Sequence, residues 1–138
     1  SVVLYNKTMS VPCIGLLDSG NLLTMPLSGN PVHIADAALL QKLVDEKTVQ
    51  KEIEYRALGN PHGKLQVYCM DGMKVETEPA KFCDWKQVWV GCAENGVLCN
   101  KPYQLILHAS VADHCGCTKD PSQMTNKLRK EKRNVFTV

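Results

Sequence analysis

The sequence predicts a mostly β, barrel-like domain with one or two short helices. Three observations carry this reading. The first 110 residues divide into short apolar runs of strand length, and turn-forming residues punctuate them at close intervals. An apolar fraction of 44% beside 22% charged residues lets 138 residues build one ordinary packed core.

The elements follow in order. Val2-Val3-Leu4-Tyr5 and Val11 to Leu17 are apolar runs separated by the turn-prone Asn6-Lys7, which reads as a hairpin leading into a loop at Asp18. Pro26 and Ser28-Gly29-Asn30 signal turns, and Pro31-Val32-His33-Ile34 follows as a short strand. Asp36 is placed to cap a helix through Leu43, with Ala37, Leu40 and Leu43 at helical spacing. Ile53 to Leu58 returns to strand character, Gly59-Asn60-Pro61-His62-Gly63 is a dense turn cluster, and Leu65 to Met70 is the next strand. Asp71-Gly72 predicts a type I′ hairpin into Met73–Glu78. Val88-Trp89-Val90 and Tyr103 to Leu107 read as short buried strands, with a brief helix over Ala109 to Asp113. Trp85 and Trp89 are expected in the core or at a contact between chains.

Charge divides the chain into a body and a tail. Residues 118–138 hold six Lys/Arg against Asp120 and Glu131, whereas residues 1–117 hold ten against twelve acidic residues. The expected organisation is a domain over 1–117 and a basic, at best helical tail over 118–138. Phe136 is the tail's only aromatic residue, so a solvated face is expected there rather than a nucleic-acid partner. No apolar run reaches the roughly 18 residues a membrane span needs, and Ser1 opens no signal peptide. The missing initiator Met fits a processed chain or an excised domain, leaving room for a membrane-bound remainder.

Seven cysteines, at 13, 69, 83, 92, 99, 115 and 117, are odd in number and lack the spacing of a secreted scaffold. Reduced thiols in a cytosolic compartment are expected. His114-Cys115-Gly116-Cys117 carries zinc-type ligands, but the other cysteines lack paired spacing, so free thiols and no metal are the reading. No local signature supports a Cys–His nucleophile, and no cofactor motif is present.

The segment that carries chemistry is Leu16-Leu17-Asp18-Ser19-Gly20. Two apolar residues anchor a strand in the core and deliver Asp18 to its end. Ser19 is expected to donate a loop-fixing hydroxyl bond, Gly20 to permit close backbone approach, and Asn21 to add hydrogen-bonding support. Such a tripeptide arises by chance in roughly 6% of chains this long, and Asp-Ser-Gly-Asn is also an ordinary turn. An aspartic peptidase needs two carboxylates that share one proton. No other Asp here precedes Ser/Thr-Gly, so a catalytic Asp18 requires Asp18 of a second copy across a two-fold axis.

The longer segment Gly15-Leu16-Leu17-Asp18-Ser19-Gly20-Asn21-Leu22-Leu23-Thr24-Met25-Pro26, continuing to Pro31-Val32, resembles the signature of the sporulation sigma-E factor-processing peptidases. That family carries Leu-Leu-Asp-Thr-Gly-Asn, a nearby Pro, and Pro-Val. Arg56-Ala57-Leu58-Gly59 resembles its Arg-Ser-Val/Ile-Gly segment, and Tyr103-Gln104-Leu105-Ile106-Leu107-His108 its Tyr-x-Ala-Leu-Leu-His segment. The resemblance covers residues 2–112, in order. It implies a retroviral-pepsin-like closed barrel with one lobe per chain, a homodimer, and a membrane-embedded N-terminal half absent from this segment. It further implies a pro-sigma-factor substrate cleaved near its N-terminus in the mother cell, and activation through a secreted signalling protein. Ser19 stands where Thr is commoner, keeping the hydroxyl. His108 stands where retroviral-type enzymes carry Gly, so the packing there must differ. Under this reading Gly59, Asn60, Pro61, His62 and Gly63 form the tip of a substrate-covering flap; the alternative is an ordinary loop. A non-catalytic barrel of the same fold, or a retroviral-type peptidase with another substrate, are the rival functions.

Overall fold

Alternation of side chains sets the first strand and, through it, the sheet. The computed structural model describes residues 1–57, 60–94 and 96–115, and the side chains of these except 56, 57, 60–62, 114 and 115. The elements are β1 (Val2–Asn6), β2 (Met9–Cys13), β3 (Gly15–Leu17), β4 (Val32–Ala35), α1 (Ala37–Gln41), β5 (Gln50–Ala57), β6 (Asn60–Glu78), β7 (Lys81–Cys92), β8 (Leu105–Leu107) and α2 (Ser110–Cys115). In β1 every second residue is buried: Val2 and Leu4 enter the core, as period-two patterning requires. Asn6 ends the strand, also buried, and its Nδ2 donates to the Leu43 carbonyl at 2.9 Å and Thr48 Oγ1 at 3.1 Å. A buried amide is tolerated because it is paired.

The strands form one sheet in the order β2-β1-β6-β7-β4-β8-β3, with β5 pairing β6 beside this path. Pairing is antiparallel except for β4 with β7 and β3 with β8. The domain is mainly β, as expected, but the sheet is not closed into a barrel. Its end strands, β2 and β3, are consecutive in the chain and separated only by Ile14. One residue cannot reverse the chain into a ladder, so the two strands run on from each other. Ile14 instead exchanges bonds with Gln104: its N–H donates to Gln104 Oε1, and its carbonyl accepts from the Gln104 N–H, both at 3.0 Å.

A second expectation fails at Asp71-Gly72, which lies inside the long strand β6 and makes no turn. The hairpin comes later, at Pro79-Ala80, where Ala80 takes φ 64° and Glu78 pairs Lys81. Gly72 serves contact rather than curvature. It pairs Tyr5, and a Cβ placed on it would overlap the Tyr5 ring. Asp71 does serve a turn, but the one at Asn6-Lys7: its Oδ2 accepts the Lys7 N–H at 2.6 Å, and Lys7 takes φ 56°. The dipeptide itself makes no chain reversal; only the Asp71 side chain serves one, at a distance along the sequence.

Helix α1 is shorter than predicted. Asp36 occupies its N-cap but makes no side-chain cap bond; its N–H donates to the Gln104 carbonyl at 2.9 Å. Leu39, Leu40 and Leu43 are buried against Val2, Leu4, Met70, Met73, Leu105 and Leu107. Each fully buried side chain of this size contributes about 1.5–3 kcal/mol. Val88-Trp89-Val90 belongs to the longer β7; Trp85 and Trp89 pack half-buried at the edges of two separate core clusters. The proposed tail beyond residue 117 lies outside the described residues.

Candidate active site

Strand β3 is short and pinned on both faces. Leu17 packs on the main core and Leu16 on a separate cluster of Ala93, Leu98, Tyr103 and Ile106. Parallel pairing to β8, with Leu17 opposite Leu107, ends the strand at Asp18 and ends β8 at His108. Asp18 therefore leaves the sheet at a fixed point beside His108. The parallel register does this, because both chains exit at the same end.

Asp18 is buried, with 6% of its surface open. Its Oδ1 accepts the Gly20 N–H at 2.7 Å, and its carbonyl accepts the Asn21 N–H at 3.1 Å. Burial pushes the Asp18 carboxyl above the ordinary carboxylate range, while the Gly20 and Asn21 N–H groups pull against it. A carboxyl whose neutral form is favoured by its surroundings suits proton exchange with a bound molecule.

Asn21 is the hub of the loop. Its Nδ2 donates to the Val32 carbonyl at 3.1 Å, its Oδ1 accepts the Leu23 N–H at 3.2 Å, and its backbone carbonyl accepts the Ala109 N–H at 2.9 Å. One residue thus ties the Asp18 loop to β4 and to the start of α2. Ser19 does not behave as expected: its Oγ is buried and donates to no described group. The loop is closed by backbone and Asn21 bonds, so the hydroxyl is not what fixes it.

Two histidines gather behind Asp18, and local sequence gave no sign that they meet. His33 on β4 is 3% exposed, and its Nδ1 accepts the His108 N–H at 2.9 Å. His108 is 7% exposed; its Nδ1 accepts the Ser110 N–H at 3.0 Å and lies 2.9 Å from Ser110 Oγ. Seventy-five residues separate the pair, so only the β4–β8 pairing unites them. The one available signal was His108 standing where the resembled fold carries Gly.

Burial, with a smaller contribution from His108, pushes His33 down to about 4. The unfolded chain therefore binds more protons than the folded one between about 6.5 and 4. The His33 contribution is complete above that window and is lost as pH falls through it. His33 should contribute a loss on the order of 3 kcal/mol to denaturant unfolding across this range, and the pH dependence should shrink by about that amount in His33→Gln. Asp45, held down to about 2 chiefly by its bond with Lys7, loses its contribution only below 3.8 and does not overlap.

The flap residues divide. Asn60 to Gly63 open strand β6 rather than a loop, and Ala57 pairs Asn60. Gly59 lies outside the described residues, as do the side chains of Asn60, Pro61 and His62. Gly63 lies beneath the Tyr55 ring. The cysteines described, Cys13, Cys69, Cys83, Cys92 and Cys99, are all unpaired, and burial raises Cys13 to about 11, far from a reactive thiolate. No group of metal-ligating side chains occurs among the described residues; Gly116 and Cys117 lie outside them.

No described helix is long and apolar enough to cross a membrane. No curated protein and no solved structure matches the chain. Residues 1–111 match the family model Peptidase U4, described as sporulation factor SpoIIGA. That match runs from β1 into α2 and takes in Asp18, Asn21, His33 and His108, so the chain belongs to this family of sporulation peptidases.

Proposed function

We propose that the chain is one half of a homodimeric aspartic endopeptidase, with Asp18 as its catalytic carboxylate. The observation that carries this is a single buried, loop-held carboxyl, delivered by β3, whose proton affinity is raised. Peptide hydrolysis by this route needs a pair: one carboxylate takes a proton from water while a protonated partner gives one to the scissile carbonyl. The second group is Asp18 of another copy. Exposed Leu22 and Leu27, on the loop that follows Asp18, are 70% and 102% open and supply apolar surface for such a partner to cover.

The substrate is a sporulation pro-sigma factor, cleaved near its N-terminus. Its extended segment lies under the β5–β6 hairpin and adds as a strand through backbone hydrogen bonds. In the full-length protein a membrane-embedded N-terminal half holds this domain on the cytoplasmic side of the mother-cell membrane, and a secreted protein activates it through that half.

Mixing chains tests the shared site. Equal amounts of wild-type and Asp18→Asn chains, co-refolded, leave about a quarter of the dimers with two carboxyls. Cleavage should fall to about that fraction rather than to half. A fall to half would show that each chain acts alone.

A further inference from the structure

The hydrogen bonds around His33 and His108 have a direction that restricts their protonation. A backbone N–H only donates. His33 Nδ1 receives one from His108 at 2.9 Å, and His108 Nδ1 receives one from Ser110 at 3.0 Å. Both Nδ1 atoms are therefore bare, and each neutral ring carries its proton on Nε2. For His108 that Nε2–H is enclosed without a well-formed hydrogen bond; its backbone neighbour is Leu22, in the Asp18 loop. One imidazole thus spans from the start of α2 to the catalytic loop, and the second holds the backbone of the first.

We propose that His33 and His108 are positioning residues that keep the Asp18 loop docked on β4 and α2 only while both rings are neutral Nε2–H tautomers. This rests on the assignment of Asp18 as the catalytic group. Adding a proton to either ring puts N–H against N–H, so an attraction becomes a repulsion. The bond next in line is the one from the Ala109 N–H to the Asn21 carbonyl, at 2.9 Å.

The neighbours of the pair do little to favour a cation. His33 lines a cavity of about 320 Å³ with Asn30, Trp85, Lys86, Trp89 and Ser110, which gives water and protons a route to it. The cation there, Lys86, is engaged by Asp84 and the Tyr5 hydroxyl. Asp113 on α2 and the Leu22 backbone favour charge on His108, but burial outweighs them. Cleavage should therefore fail on the acid side, where many aspartic peptidases work best.

The test reads the rings and the loop separately from cleavage. Nitrogen-15 spectra of the chain at neutral pH should show both rings as Nε2–H tautomers. In His108→Ala the Ala109 amide should exchange roughly tenfold faster while β6–β7 amides stay protected. His108→Asn restores an acceptor for Ser110 without a titrating ring, so its Ala109 protection should match wild type at pH 7. Between pH 7 and 5, protection should fall in wild type and fall less in His108→Asn, which keeps only the His33 ring to titrate. With a cleavable substrate, the same variant should move the acid limb of the kcat profile downward with KM unchanged. An Nδ1–H tautomer in either ring, or Ala109 exchange indifferent to His108→Ala, overturns the proposal. Should His108→Ala fail to fold, the wild-type tautomers and His108→Asn still decide. Absence of cleavage with the exchange results intact would instead count against Asp18 as the catalytic group.

Discussion

Asp18→Asn is expected to lower cleavage of a pro-sigma-factor substrate by roughly 10⁴-fold, the scale on which loss of an essential catalytic group registers. The fold should survive. Asparagine is isosteric, and its amide oxygen can still accept the Gly20 N–H that Asp18 Oδ1 accepts at 2.7 Å. Burial already disfavours the charged carboxylate, so a neutral side chain relieves a desolvation penalty rather than creating one. Thermal unfolding of the variant should match or slightly exceed that of the wild type. Asp18→Ala is the harsher companion, because it also leaves the Gly20 donor unpaired. A folded Asp18→Asn chain with wild-type cleavage would remove Asp18 from the chemistry and leave its carboxyl as a turn-former.

The second large effect concerns the strand that sets the site's position. Leu105→Ala should destabilise the chain by about 2–5 kcal/mol in denaturant unfolding, with the slope against denaturant unchanged. Leu105 is 0% exposed on β8, opposite Gly15 of β3 and Ala35 of β4. Truncation opens a cavity between the strands that carry Asp18 and His33, and neighbours on two ladders cannot collapse into it. Leu105→Met, which keeps the volume, should lose less than about 1.5 kcal/mol. Equal losses for both variants would show that this site relaxes freely and that packing at β8 does not hold β3.

Residues near one another in the chain were legible without any structure. The apolar run Val2–Tyr5 marked a strand, Leu16-Leu17 before Asp18-Ser19-Gly20 marked a strand delivering an acid to a loop, and Asn21 was placed in its support. Each follows from side-chain spacing or turn chemistry, which act over a few residues. Two readings went astray because the same chemistry admits more than one partner. Asp71-Gly72 satisfies the demands of a tight hairpin, yet here Gly72 yields space to Tyr5 and Asp71 caps a turn 64 residues away. Ser19 carries a hydroxyl fit to fix its loop, but the backbone and Asn21 had already satisfied the available groups.

By itself the sequence determined a mainly β domain and the acid-bearing loop at Asp18, because backbone stiffness and side-chain alternation are local properties of the chain. Tertiary structure alone decided that the sheet stays open at Ile14, and that His33 and His108 meet behind Asp18. Those outcomes depend on strand register. Register is settled by which buried faces pack together once the whole chain is present, and by which donors then find acceptors dozens of residues away.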